Sequence, residues 1–281
     1  MVIQTGEGRT VSMSHAEQTA YFALIRAGSG IATPAAVASL LQISFVRASR
    51  ILYQLNKKGA VRRIGKGKYA LVAPEAMRGT GQFAQDSLIV AAQLMKLVKR
   101  DYAVAYASAA YLHGLLEQIP QTAQVMIGHY RRAIRLSQTQ LISFVLASHW
   151  KVFGTADMKY QDQVIIVTDL EKTVLDCLDR QDLAGGLDQA AQILAAAVSG
   201  GKLDARKLAR YAGLMRNRSL IQRLGYLLER GKLLPETAKA LQPLKHPVPC
   251  LLDPASPRGG AKLNPRWQVF ENAKVTLRGL R

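Results

Sequence analysis

Between Ser14 and Gly59 the sequence starts, stops and restarts an amphipathic helical pattern, which restricts this stretch to a small three-helix unit. Ser14 followed three residues later by Glu17 is a capping box, and Tyr21, Leu24 and Ile25 form an apolar stripe that stops at Gly28. Thr33 as N-cap with Pro34 at the first helical position opens a second helix, with Val37, Leu40 and Leu41 on one side. Gln42 and Ile43 make a tight turn, and Ser44 caps a third helix. Its buried stripe is Ala48, Ile51, Leu52 and Leu55, and Gly59 ends it. Directly afterwards Val61 to Ile64 and Lys68 to Val72 read as strands joined across Gly65-Lys66-Gly67. Helix, short turn, helix and hairpin together describe a winged helix-turn-helix over residues 1–75. The lone glycine pair at 65 and 67 has no P-loop or dinucleotide-binding continuation, so it predicts a hairpin tip and not a nucleotide loop.

The chemistry of this segment is one-sided. No Asp or Glu occurs between Glu17 and Glu75, while the third helix and the hairpin are crowded with cations. The outer face of the third helix carries Arg47, Ser49, Arg50, Tyr53, Gln54 and Lys57, and its N-terminus offers Ser44 and free backbone N–H groups suited to a phosphate. Lys58, Arg62, Arg63, Lys66 and Lys68 extend the basic surface through the hairpin. These twelve positions, Ser44 included, are the expected DNA contacts. The whole chain of 281 residues has a formal net charge of +19 and a pI near 10.2, which suits a polyanionic partner. A basic amphipathic helix with Trp or Phe anchors, the mark of a membrane-surface protein, does not stand out. A winged helix used for protein contacts is the competing reading of the same unit, and an acid-free face suits it poorly.

Residues 76–85, inside a connector-like stretch that starts at Ala73, separate this unit from a second domain at 86–281. Asp86 caps a helix with Leu88, Ile89, Ala92, Met95 and Val98. Strands are expected at 102–106, 125–127, 134–136, 141–146 and 164–167, with a helix at 108–116. Thr168 and Glu171 read as a capping box opening a helix with Val174, Leu175 and Leu178, followed by helices near 187–198, 204–212 and 219–230. The tail from Pro243 to Pro265 reads as irregular, with a last strand near Trp267 to Phe270. The expected fold class is therefore α+β: an N-terminal winged helix-turn-helix, then a larger mixed α/β domain with a helical second half. Arg131, Arg132, Lys202, Arg206, Arg210, Arg216 and Arg218 in this domain read either as solvated faces or as a second DNA contact; Arg135, Lys207 and Arg223 belong to the same basic punctuation.

Enzymatic readings find little support. His113 and Glu117 have ligand spacing on a helix, but no third ligand is close in sequence. Asp169, Glu171, Asp176, Asp179 and Asp182 form the densest acidic cluster, yet Val174, Leu175 and Leu178 interleave it as in an ordinary amphipathic helix. Cys177 and Cys250 form no CxxC pattern and read as buried thiols, and no GxSxG elbow occurs. No catalytic residue, metal or cofactor is expected. No stretch reaches the roughly 18 consecutive apolar residues of a membrane span and the start lacks a signal-peptide layout, so a cytoplasmic protein is expected.

Three segments then occur in order downstream of the winged helix: YASAAYLHGLLEQIP (106–120), VTDLEKTVLDCLDR (167–180) and RLGYLLERG (223–231). With the hairpin sequence RRIGKGKYAL, they make the chain resemble the AbiEi antitoxins, the regulators of abortive-infection type IV toxin–antitoxin systems that serve in phage defence. The resemblance implies a repressor of its own operon whose C-terminal domain counteracts a toxin of nucleotidyltransferase fold. It also implies that no stable complex with that toxin is needed. Double-stranded DNA, as an inverted repeat in the gene's own promoter, is the expected partner, with dimerisation possible on that DNA. The rival reading is a DNA-processing protein, such as a nuclease subunit, targeted by the winged helix.

Overall fold

The computed structural model describes residues 2–4, 10–72, 86–98, 101–137 and 140–277. The expected connector at 76–85 lies outside them. Two compact units divide the chain: one holds residues 1–101, 121–125 and 130–144, the other 102–120, 126–129 and 145–281.

In the first unit, β1 (Val2–Gln4) and β2 (Thr10–Ser12) pair antiparallel ahead of α1 (His15–Arg26). The capping box is present as expected: Ser14 Oγ accepts from the Glu17 N–H and the Glu17 carboxylate accepts from the Ser14 N–H at 2.8 Å. β3 (Ile31–Ala32) precedes α2 (Pro34–Leu41), which starts at Pro34 with Thr33 as cap. Gln42, at φ 54°, turns the chain, and Ser44 caps α3 (Phe45–Lys57). β4 (Val61–Gly65) and β5 (Lys68–Leu71) form a hairpin whose tip needs Gly67 at φ +64°. The two-residue β3 escaped the sequence reading; it adds to the hairpin with Ile31 opposite Ala70, giving the order β3-β5-β4. The core takes up most of the predicted stripes: Tyr21 and Leu24 from α1, Val37 from α2, and Ala48, Leu52 and Leu55 from α3, closed by Val61 and Leu71, with Ile25 and Leu41 half-buried against it; Leu40, expected on the buried side of α2, is instead exposed. Burying each of these large apolar side chains contributes about 1.5 to 3 kcal/mol. Tyr21 satisfies its hydroxyl by donating to the Val72 carbonyl. α4 (Ser87–Val98), capped by Asp86, also belongs to this unit, where the Gly30 N–H donates to Gln93 Oε1 at 2.9 Å.

The elements that follow are β6 (Tyr102–Val104), α5 (Tyr106–Leu112), β7 (Thr122–Ile127), β8 (Ile134–Arg135), β9 (Leu141–Leu146), β10 (Thr155–Tyr160) and β11 (Gln163–Thr168). The strands have the order β10-β11-β6-β7-β9-β8 in one sheet. β11 is antiparallel to β10, from Thr155 opposite Thr168, and parallel to β6. The strand expected at 102–106 ends early because Tyr106 adopts φ 57°, outside any extended conformation, and starts α5 instead.

The second unit then becomes helical, as expected: α6 (Leu170–Asp179), α7 (Gln181–Ala184), α8 (Leu187–Ser199), α9 (Ala205–Leu214), α10 (Arg218–Arg230) and α11 (Pro235–Leu241). Its core gathers Val174, Leu175 and Leu178 of α6, Ile193 and Leu194 of α8, Leu224 and Leu227 of α10, and Trp267. The expected capping box at Thr168 and Glu171 is not what opens α6. Asp169 is the N-cap, accepting from the Lys172 N–H at 3.0 Å, and Glu171 instead accepts from the Asp204 N–H at 2.8 Å. The tail read as irregular supplies two short strands, β12 (Cys250–Leu251) and β13 (Leu263–Asn264), which pair with the expected last strand, β14 (Val269–Phe270), in the order β12-β14-β13.

Candidate nucleic-acid interface

The buried stripe of α3 fixes which residues point outward. Val46, Arg50, Tyr53 and Lys57 recur at helical spacing and are all exposed, while Arg47 lies exposed on the flank and Ser49 and Gln54 are half-buried at the edges. Ser44 accepts from the Arg47 N–H at 3.3 Å, so the helix begins cleanly at this end. The Lys57 ammonium stands 4.9 Å from the centre of the Tyr53 ring, a cation–π contact along the same face. Arg47, Arg50 and Gln54 line an open groove beside Ser14 and Glu17 of the first turn of α1. Lys66 is exposed at the hairpin tip and Lys68 is half-buried on β5. Among the described residues no hydrogen bond or ion pair occupies the charged ends of Arg47, Arg50, Lys66 or Lys68.

Three of the expected contacts are engaged within the fold. Lys58 donates to the Glu17 carboxylate at 2.6 Å and to the Ser12 carbonyl at 2.8 Å. Burial would raise the Glu17 carboxyl, but the Lys58 hydrogen bond and charge, with the capping N–H, hold it below its ordinary value. Arg62 donates to the Leu136 carbonyl at 2.6 Å, and Arg63 donates to the Gly65 carbonyl at 3.3 Å, stiffening the hairpin. Lys58 therefore has a tether to explain it, and it neutralises the acid that borders the groove.

The second set of cations does not form one cluster. Arg131 and Arg132 belong to the first unit, where the Arg131 guanidinium lies 5.0 Å from the Phe144 ring and burial lowers its pKa. Lys202, Arg206, Arg210, Arg216 and Arg218 belong to the second and are exposed. There Arg210 lies 5.5 Å from the Tyr211 ring and Arg216 lies 5.6 Å from the Trp150 ring. Lys207 is spent on Asp169 and Glu171, and Arg223 is buried and donates to the Leu251 carbonyl at 2.9 Å.

The acidic cluster of α6 is likewise taken up residue by residue. Asp169 and Glu171 face Lys207, Asp176 pairs with buried Lys172, Asp179 binds Lys151 and Asn217, and Asp182 binds Arg180. His113 Nε2 lies 2.7 Å from the Thr168 carbonyl. Burial drives the Cys177 thiol well above its usual range, whereas Cys250, expected buried, is half-buried with its sulfur facing the Ser219 carbonyl. Among the described residues no single helix is long and apolar enough to cross a membrane.

Comparison with known proteins finds one family that matches part of the chain, the antitoxins of toxin–antitoxin systems. Residues 102–230, from β6 to the end of α10, match the family model of the AbiEi antitoxin C-terminal domain, so this part of the chain is similar to AbiEi-type antitoxins. Over nearly its whole length the fold is similar to the crystal structure of the RV2827C protein from Mycobacterium tuberculosis. The TM-score is 0.66 at 17% identity, covering 96% of this chain and 94% of that one. No curated protein sequence matches the chain.

Proposed function

We propose that the chain is a DNA-binding autorepressor that doubles as a type IV antitoxin. In this reading residues 1–75 form a winged helix-turn-helix, with α3 as the recognition helix and the β4–β5 hairpin as the wing, and two copies occupy an inverted repeat in the gene's own promoter. The C-terminal domain opposes a nucleotidyltransferase-like toxin without a lasting complex. One observation carries the DNA reading: the outward face of α3 is acid-free, and its arginines have no partner among the described residues. Cations left unpaired on one helix face cost nothing in water and gain strongly from phosphates and base edges. The antitoxin reading rests on the matched domain.

The deciding measurement is fluorescence anisotropy of a duplex from the region upstream of the gene, titrated against a scrambled duplex of equal length. Binding to the upstream duplex at least about a thousandfold tighter is expected, in the range of specific over non-specific affinities. Equal affinity for both duplexes would reduce the basic face to general polyanion binding and end the repressor reading.

A further inference from the structure

The outward stripe of α3 is not wholly basic. Val46 occupies its first turn, one helical turn before Arg50, and is 70% exposed, the most exposed of the large aliphatic side chains among the described residues. A solvated helix surface gains nothing from such a residue, and the stripe through Val46, Arg50, Tyr53 and Lys57 contains no buried position that could draw it inward. Phe45 is a different case. It is 59% exposed, but the stripe it heads, with Ser49 and Leu52, runs into fully buried Leu52 and so leans toward the core.

In recognition helices the N-terminal residues reach the base edges, and the major groove offers a single apolar group, the C5-methyl of thymine. The occupant of this stripe is fixed by charge: α3 and the hairpin carry no carboxylate, and Arg47 and Arg50 of α3 have no partner among the described residues, which fits duplex DNA. Within that setting we infer that Val46 is a specificity-determining residue that covers a thymine methyl in each half-site, within a base pair or two of the base read by Arg50. A valine projecting from an exposed turn has no hydrogen-bonding group, so it cannot read any other feature of a base edge. Its two methyls discriminate by excluding water from the thymine methyl, a contribution that vanishes when that methyl is absent. Arg50, one turn on, supplies the bidentate geometry that favours guanine. The inference rests on the DNA-reading proposal above and sharpens it to a base.

The test removes the methyl and nothing else. In the duplex protected by the full-length protein, each thymine of one half-site is replaced in turn by deoxyuridine, and affinity is measured for the wild-type chain and for Val46→Ala. At one thymine the uridine duplex should bind the wild type about fourfold more weakly, the fold-change that about 0.8 kcal/mol of methyl burial gives. Val46→Ala should bind the unmodified duplex more weakly and be insensitive to the same replacement. Val46→Thr, which trades one methyl for a hydroxyl, should fall between them. Because position 46 is exposed, all three proteins should melt at the same temperature, which separates recognition from folding. Specific binding with no uridine-sensitive position, or with a sensitivity that persists unchanged in Val46→Ala, overturns the assignment and leaves the repressor reading standing. Absence of any sequence-specific binding overturns both.

Discussion

Trp267 lies against the backbone of Gly225 on α10 so closely that a β-carbon on the glycine would stand 2.0 Å from the ring. The indole is fully buried, and its Nε1–H donates to the Glu229 carboxylate at 2.8 Å. The tail is thereby fastened onto the helical half of the second unit, and residue 225 must be glycine for the ring to reach the helix. Gly225→Ala would gain about 1 kcal/mol of helix propensity. It should nevertheless destabilise, since overpacking costs about 1 to 3 kcal/mol and the buried ring has little room to retreat. Trp267→Ala should cost about 3 to 5 kcal/mol. Thermal unfolding followed by circular dichroism measures both; a Gly225→Ala protein as stable as the parent would mean the contact is not the fastener described.

A second relationship separates holding the fold from contacting DNA. Lys58→Met should lower stability by at least about 1 kcal/mol, as expected for a partly buried ion pair with a charge-assisted hydrogen bond, whereas Arg50→Ala should leave the melting temperature unchanged. Glu17 titrates below its ordinary 4.5, so its contribution is present above that value and fades as pH falls through the lowered one. In Lys58→Met this acid-side loss should shrink. The same variant unmasks a carboxylate beside the groove and should weaken all DNA sequences alike. Discrimination lost in Lys58→Met but total affinity kept would return Lys58 to the reading surface.

The buried pair Lys172–Asp176 makes a prediction with the opposite sign. Burial pushes the Asp176 carboxyl up to about 6 despite Lys172, and one of its oxygens has no hydrogen-bond partner among the described residues. A carboxyl raised from its ordinary 3.8 adds stability below that value and loses it as pH rises through about 6. Removing the partner in Lys172→Met strands the charge, at a cost of about 3 to 5 kcal/mol near neutrality. At pH 5 the carboxyl can accept a proton, so the loss should be smaller. Melting curves at pH 5 and 7.5 compare the two; a larger deficit at the lower pH would contradict the sign.

Much of this was legible in the sequence, for identifiable reasons. The α3 stripe was readable because Ala48, Ile51, Leu52 and Leu55 are buried at helical spacing and nothing distant disturbs them. β10 was missed because it is largely solvent-exposed, so its alternation of Ala156, Met158 and Tyr160 with polar residues is only weakly apolar, and α11 because it is short and its left-handed N-cap, Leu234, offers no capping side chain. The α6 capping box misled because Glu171 finds its partners on α9 and at its N-cap, beyond any local pattern. The same limit governs the cations. Lys58 and Glu17 are 41 residues apart and Arg62 and Leu136 are 74 apart, so composition could count basic residues but not say which were already engaged. Val46 is not legible as a contact because a single apolar residue in a basic stripe makes no periodic pattern, and only its 70% exposure distinguishes it.

The hairpin should act on the DNA backbone. Lys66 and Lys68 lie beside the glycine that bends the tip, where a flexible ammonium meets phosphate more readily than a base edge. Replacing both with alanine should weaken specific and scrambled duplexes by the same factor and flatten the dependence of affinity on salt by about one unit per lost phosphate contact. An unchanged slope would remove the hairpin from the interface.

The two proposed activities should separate by point mutation in the intact chain. Arg47 and Arg50 lie on the exposed side of α3, and neither supports the core, so replacing both leaves Ala48, Ile51, Leu52 and Leu55 packed as before. Each replacement should cost about 1 to 3 kcal/mol on the specific site, so the double variant should lose repression of a promoter fusion. The domain matching the antitoxin family begins at residue 102 and has its own buried core around α6, which these substitutions do not touch. Cells expressing the proposed partner toxin should therefore survive with the double variant supplied from an unrelated promoter, so that its amount does not depend on the proposed autoregulation. Gly225→Ala should give the converse phenotype where it unfolds the second unit: toxicity returns although α3 is intact. If the folded Arg47 and Arg50 double variant fails to protect at matched protein levels, neutralising the toxin requires DNA binding, and the proposed division of labour between α3 and the C-terminal domain is wrong.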